Sequence, residues 1–177
     1  MEELKERYGP KIKTPREIRK IIGQHPRKKT VIMCHGVFDI VHPGHLRHLI
    51  YAKKKADVLI VSITRDAHID KGDFRPHVPE GLRALNLAAF EVVDFVIIDK
   101  DSTPLDNIEF IKPDYFAKGY EYIQKGSPAK THIEKALVES YGGEMIFTPG
   151  DLVYSSTDLI NIGPPTIKYD KLSLIHI

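Results

Sequence analysis

The sequence predicts an α/β fold: a single domain on a doubly wound, parallel, five-stranded sheet. Three observations carry the prediction. Apolar runs of strand length recur, and the clearest, Asp57-Val58-Leu59-Ile60-Val61-Ser62-Ile63-Thr64, is apolar almost throughout, the mark of a strand buried on both faces. Helix-length amphipathic segments separate the runs, as parallel strands require of their crossovers. The 177 residues, 42% apolar and 28% charged, suit one domain with its own core.

The elements follow in order. Thr14-Pro15-Arg16-Glu17 reads as a capping box with Pro at the first helical position, and Ile18, Ile21 and Ile22 form the stripe of a short helix that Gly23 stops. Residues 1–27 are thus a helical extension, and the main domain runs over 28–163. Val31-Ile32-Met33-Cys34 is the first strand, followed by a helix from near Leu46 to about Ala56, with Leu46, Leu49 and Ile50 on one face. The second strand ends in Arg65-Asp66 and a polar loop over Asp70 to Pro76. Pro79-Glu80 starts a helix with Leu82, Leu85, Ala89 and Phe90, and Val92 to Ile98 is the third strand.

Thr103-Pro104 caps a short helix with Leu105, Ile108 and Ile111 that Pro113 ends; Tyr115-Phe116-Ala117 is the fourth strand and runs into Lys118-Gly119-Tyr120-Glu121. Thr131-His132-Ile133-Glu134 reads as a second capping box, with Ile133, Leu137, Val138 and Tyr141 on one face and Gly142 at the end. Glu144 to Phe147 is the fifth strand. Ser155-Ser156-Thr157 precedes a last helical turn through Leu159 and Ile160.

The chemistry concentrates in His35-Gly36-Val37-Phe38-Asp39-Ile40-Val41-His42-Pro43-Gly44-His45, a strand-to-helix corner. A helix N-terminus offers unpartnered N–H groups and the positive end of the macrodipole, so it stabilises an anion. Gly36 and Gly44 allow tight turning, Pro43 suits the helix entry, and His42 and His45 add donors able to meet one phosphate. In an open parallel sheet, ligands sit beyond the carboxyl ends of the strands. His42, His45, Asp66, Lys71, Lys118 and Ser155 to Thr157 all follow strands and converge on that rim.

Other classes are disfavoured. A net charge of +2 gives no reason to invoke nucleic acid or an anionic membrane, and Lys11, Lys13, Arg16, Arg19, Lys20, Arg27, Lys28 and Lys29 read as a solvated face. The lone Cys34 excludes an internal disulfide and reads as a small core residue; the charged start is not a signal peptide, and no run spans a bilayer, so the cytoplasm is expected. His42, His45 and His48 are spaced i, i+3, i+6, but one cysteine and no second histidine pair argue against a metal site, and none is assigned. His35 and His48 read as structural or solvated. Asp39 is as well suited to orienting its loop as to touching substrate, while Lys71 and Lys118, each beside a glycine after a strand, read as functional. Tyr120 and Tyr122 either stack on a base or line the pocket wall.

With these residues in view, the chain resembles the HxGH nucleotidyltransferase superfamily, whose fold is Rossmann-like. Within it the likeness is to the cytidylyltransferase-like family, nearest to the adenylyltransferase domains of ADP-heptose synthases. It covers roughly residues 28 to 162. It rests on Gly36-Val37-Phe38-Asp39 before His42-Pro43-Gly44-His45, on Lys71-Gly72 with Arg75-Pro76, on Lys118-Gly119, and on Ser155-Ser156-Thr157.

The resemblance implies transfer of AMP, or CMP, from a nucleoside triphosphate to a phosphorylated acceptor such as heptose 1-phosphate, with release of pyrophosphate and with Mg²⁺ accompanying the triphosphate. It implies His42, His45 and Lys71 as catalytic residues. The nucleotide- and phosphate-binding set is Gly36, Val37, Phe38, Asp39, Gly44, Asp66, Lys118, Gly119, Ser155, Ser156 and Thr157. Where relatives often carry an arginine near the serine and threonine block, this chain has Asp151-Leu152-Val153-Tyr154, which turns attention to Arg75 or Arg83. A CTP-dependent glycerol-3-phosphate-type enzyme and a nucleotide sensor without turnover stay open as alternatives, as does a homodimer.

Residues 164–177 read as linker and tail. Leu172-Ser173-Leu174-Ile175-His176-Ile177 equals the translation of CTGTCTCTTATACACATC, a transposase adapter end, and is expected to be a read artefact. On that expectation the natural chain continues past about Lys171, and the resemblance makes a C-terminal sugar-kinase-type domain the expected missing partner.

Overall fold

The computed structural model describes residues 1–70, 75–119, 122 and 129–148. Strands β1 (Val31–Gly36), β2 (Val58–Thr64), β3 (Phe95–Asp99), β4 (Tyr115–Lys118) and β5 (Glu144–Phe147) form one parallel sheet in the order β3-β2-β1-β4-β5. The described helices are α1 (Glu2–Tyr8), α2 (Pro15–Ile22), α3 (Pro43–Lys53), α4 (Glu80–Ala88), α5 (Leu105–Ile111) and α6 (Ala129–Ser140). The order reverses between β1 and β4, the point at which open α/β sheets form their ligand crevice.

Each strand buries both faces. Val31, Met33, Val58, Ile60, Ile97 and Phe116 pack under α2, α5 and α6, through Ile18, Ile108 and Val138. Ile32, Cys34, Leu59, Val61, Ile63, Val96 and Ala117 pack under α3 and α4, through Leu49, Ala52, Ala84 and Leu87. This two-sided burial is what makes the strands read as continuous apolar runs. The predicted doubly wound sheet is the observed one.

Aspartates fasten the amino end of the sheet. Those preceding β2, β3 and β4 each accept a backbone N–H from the neighbouring strand or its entry: Asp57 from Thr30 at 2.8 Å, Asp94 from Leu59 at 2.7 Å and Asp114 from Val31 at 2.8 Å. On the outer edge of β3, Lys13 N–H donates to the Val96 carbonyl at 2.9 Å, so the N-terminal segment covers an edge that would otherwise stand open. The Thr14 to Glu17 capping box forms in full. Among the described residues, no helix is long and apolar enough to cross a membrane.

Three local expectations need correction. The third strand begins at Phe95, not Val92, because Val93 N–H closes a turn on the Phe90 carbonyl and the Asp94 side chain is committed to Leu59 and Lys53. The buried stripe of α4 is Arg83, Ala84, Leu87 and Ala88 with Leu85, whereas Leu82 is exposed. Thr131 and Glu134 form no capping box: Thr131 lies inside α6, and Glu134 turns inward to pair with Lys118.

Candidate active site

The corner after β1 is built by its glycines and one strained residue. Gly36 lies so close beneath the ring of Phe38 that a Cβ there would meet the ring at 3.1 Å. Phe38 holds φ +50°, a left-handed conformation that costs a side chain roughly 1 kcal/mol. The chain then extends to His42, the N-cap of α3, with Pro43 in the first helical position. His42 accepts through its carbonyl from the N–H of His45 at 2.9 Å and of Leu46 at 3.3 Å, closing the first turn.

That turn brings the two histidines together. Their ring centroids are 3.8 Å apart with the planes tilted by 33°, and the ring of Phe38 lies 5.0 Å from that of His45. His42 is buried, and burial holds its imidazole below the ordinary range, so it is neutral at neutral pH. A neutral imidazole still donates one N–H, and protonation on meeting a phosphate would add charge. Gly44 occupies the second position of α3.

Around the corner, two buried charges hold the loops. The Asp39 carboxylate accepts from Arg75 Nε at 2.7 Å and from Val78 N–H at 3.0 Å. Arg83 is fully buried in α4 and donates to the carbonyls of Val37, Thr64 (2.9 Å) and Val78 (2.9 Å) and to the Asp66 carboxylate. Asp66 and Glu80 exchange hydrogen bonds between each carboxylate and the other's backbone N–H, at 2.8 and 3.0 Å. Asp39 and Asp66, expected to bind nucleotide, both direct their carboxylates into the protein's own loops, and Arg75 and Arg83 are committed to them.

A polar layer continues the sheet face beneath α5 and α6. His35 lies between Ser62 Oγ (3.1 Å, to Nδ1) and Thr64 Oγ1 (3.2 Å, to Nε2), and Ser62 donates to Asp99 at 3.1 Å. Burial, with a smaller contribution from the Lys118 charge, pushes His35 down to about 3. Across the β1/β4 reversal, Lys118 forms a buried ion pair with Glu134, and its ammonium lies 4.4 Å from the centre of the Tyr122 ring. Gly119 accepts from Tyr122 N–H at 3.2 Å. His48, one turn beyond His45, reaches Thr148 Oγ1 at 3.0 Å, and Thr148 N–H donates to the Lys118 carbonyl at 2.9 Å.

The structure therefore gathers Gly36, Val37, Phe38, Asp39, His42, Gly44 and His45 at one corner, with Asp66 beside it and Lys118 and Gly119 across the reversal. Lys71, Ser155, Ser156 and Thr157 lie outside the described residues, as do Tyr120 and Asp151 to Tyr154. Sequence reasoning missed Glu134 and the hub role of Arg83. No local signal pointed to the latter, since the apolar residues of α4 suggest a different buried face.

Comparison with known proteins agrees with this arrangement. The cytidylyltransferase-like family model matches residues 33–162. The chain is 44% identical over 120 residues to the bifunctional protein HldE of Campylobacter jejuni subsp. jejuni serotype O:6, covering 67% of this chain and 26% of that protein. It thus spans about a quarter of the length of such curated relatives. Among solved structures, the lipopolysaccharide core biosynthesis protein of Thermoplasma volcanium superposes with a TM-score of 0.60 at 24% identity, covering 72% of this chain and all (100%) of that one. Pantoate-beta-alanine ligase of Francisella tularensis superposes with a TM-score of 0.55 at 16% identity, over 84% and 75% of the two chains. These two show the shared fold. With its HxGH corner set on a parallel sheet and the family model spanning that corner and the sheet, the chain belongs to the cytidylyltransferase-like family of nucleotidyltransferases.

Proposed function

We propose that the chain transfers a nucleotidyl group, AMP in preference to CMP, from a nucleoside triphosphate to a phosphorylated sugar of the heptose 1-phosphate kind. The observation that carries this reading is the pairing of His42 and His45 at the start of α3, directly after β1. An acceptor phosphate oxygen attacks the α-phosphorus; the new P–O bond forms as the bond to the β-phosphate bridge breaks, and pyrophosphate leaves with the negative charge. The attacking phosphate is already an anion, so no general base is needed, and catalysis rests on positioning and electrostatic stabilisation. His42, His45 and the N–H groups opening α3 are suited to that task.

Mg²⁺ enters this scheme as part of the triphosphate substrate. Its ligands there would be phosphate oxygens and water rather than a dedicated protein cage. The preference for AMP and a sugar phosphate rests on the likeness to HldE, whose name also declares two functions. A sugar-kinase-type activity is the natural partner, since a kinase supplies the phosphorylated acceptor.

Pyrophosphate release from ATP and CTP across a panel of sugar and polyol phosphates tests the proposal. Release with ATP and a sugar 1-phosphate is expected. CTP with glycerol 3-phosphate as the productive pair would overturn the substrate assignment, and nucleotide binding with no release for any acceptor would make the chain a sensor. His42→Ala and His45→Ala are each expected to lower turnover at least a hundredfold.

A further inference from the structure

Phe38 is buried, only 5% exposed, so its ring presents no open face to a ligand. It is nevertheless held under strain, at φ +50°, and strain of this kind persists only where the surroundings over-determine it. Two restraints do so. The carbonyl of Val37, which shares the peptide plane leading into Phe38, accepts from the fully buried Arg83, which also donates to Thr64, Val78 and Asp66. On the other side, the Asp39 carboxylate is tied to Arg75 and Val78 N–H. With both neighbours fixed, the Phe38 ring lies over Gly36, where no Cβ obstructs it, and 5.0 Å from the His45 ring, which is in turn 3.8 Å from that of His42.

We propose that Phe38 is a positioning residue for His45: Arg83 fixes the Val37–Phe38 backbone in its left-handed turn, and the Phe38 ring in that pose sets the imidazole of His45 against that of His42. Offset and tilted ring contacts at this separation are favourable and directional. A supporting group that fixes an imidazole's orientation acts on catalysis without touching substrate. The inference rests on the reading of His45 as a phosphate-facing donor. It explains why an aromatic ring, rather than a glycine, occupies a left-handed position here.

The test uses the full chain and three substitutions. Phe38→Leu removes the ring and keeps apolar bulk. Phe38→Asn removes the ring but suits the left-handed backbone, so it guards against a mere folding failure. Phe38→Tyr keeps the ring. Pyrophosphate release is measured together with the nuclear Overhauser contacts between the His42 and His45 imidazoles, since a chemical-shift change alone would follow from loss of the Phe38 ring current. The expected result is that Leu and Asn weaken those ring contacts and lower kcat about tenfold or more with little change in KM for the nucleotide, while Tyr retains most of both signals. Ring contacts of wild-type strength in folded Phe38→Leu and Phe38→Asn overturn the proposal, whatever happens to the rate. If the wild type releases no pyrophosphate with any acceptor, the transferase reading fails, and the ring contacts still decide whether Phe38 orients His45.

Discussion

Arg75 Nε donates to the Asp39 carboxylate at 2.7 Å, with the two side chains only 6% and 1% exposed. Burial alone would raise the Asp39 acid, but the Val78 N–H and the Arg75 guanidinium together outweigh it and hold the group below the usual carboxylate range. Removing the charge from one side of a buried pair leaves the other uncompensated, at a cost of about 3–5 kcal/mol. Asp39→Asn is therefore expected to lose that much stability in urea unfolding at pH 7. Because the folded acid is depressed, its contribution is complete above the unfolded carboxylate pKa and fades as pH falls, so the deficit of the variant should shrink on acidification. A deficit that stays constant down to pH 3 would show that the ion pair is not its source.

Arg83 presents a sharper case, since one guanidinium serves three carbonyls and the Asp66 carboxylate from four separate positions of the chain. Lysine is a point charge on a flexible stem and cannot span that fork. Arg83→Lys and Arg83→Met are both expected to destabilise by about 3–5 kcal/mol. Combined with Asp66→Asn, the losses should be strongly less than additive, because both changes break one network. Additive losses in the double-mutant cycle would mean that Asp66 and Arg83 act independently.

Two histidines set largely away from solvent make stability pH-dependent. Burial pushes His35 down to about 3 and His48 to about 4, whereas an unfolded imidazole titrates near 6.5. Between about pH 6.5 and pH 4 the unfolded chain takes up protons that the native one refuses. Stability present above 6.5 is thus lost as pH falls, by up to about 1.4 kcal/mol per pH unit for each group. Asp99, raised by burial, works in the opposite sense at the acid end of the window and offsets part of the loss. Urea midpoints between pH 7 and pH 4.5 should trace this slope, and His48→Gln, which can still reach Thr148, should flatten it. An unchanged slope in that variant would assign the proton uptake elsewhere.

The apolar runs announced the sheet because two-sided burial leaves little else to place in a central strand, and the Thr14 to Glu17 box was legible because a local cap needs only local residues. Thr131 to Glu134 has the same sequence pattern and does not form a cap, since Glu134 finds Lys118, 16 residues away, instead. The face of α4 was misplaced for a related reason. Counting apolar residues favours Leu82, while the sheet edge selects Arg83, whose burial is explicable only once the Val37, Thr64 and Val78 carbonyls have been brought around it. Conversely, the histidine pair could be anticipated, because helix spacing alone places residues three apart on one face. Local chemistry was readable, and the buried charge networks that brace it were not.

The pair Lys118 and Glu134 offers a way to separate bracing from binding. Both side chains are nearly buried, 8% and 7% exposed, on either side of the gap between β4 and α6, next to the β1/β4 reversal. Glu134→Gln strands the Lys118 ammonium and is expected to cost about 3–5 kcal/mol. Replacing both, as Lys118→Met with Glu134→Leu, removes both desolvation penalties and should restore most of that loss, because buried pairs exchanged for apolar residues of similar volume are often neutral or better. The restored double variant then asks whether Lys118 borders the nucleotide. If it does, calorimetric titration with ATP should show affinity reduced about tenfold or more in a protein of near wild-type stability, an effect of the size expected for a charge-assisted hydrogen bond. Wild-type affinity in that protein would confine Lys118 to holding β4 against α6, and would leave nucleotide binding to the corner where His42 and His45 meet.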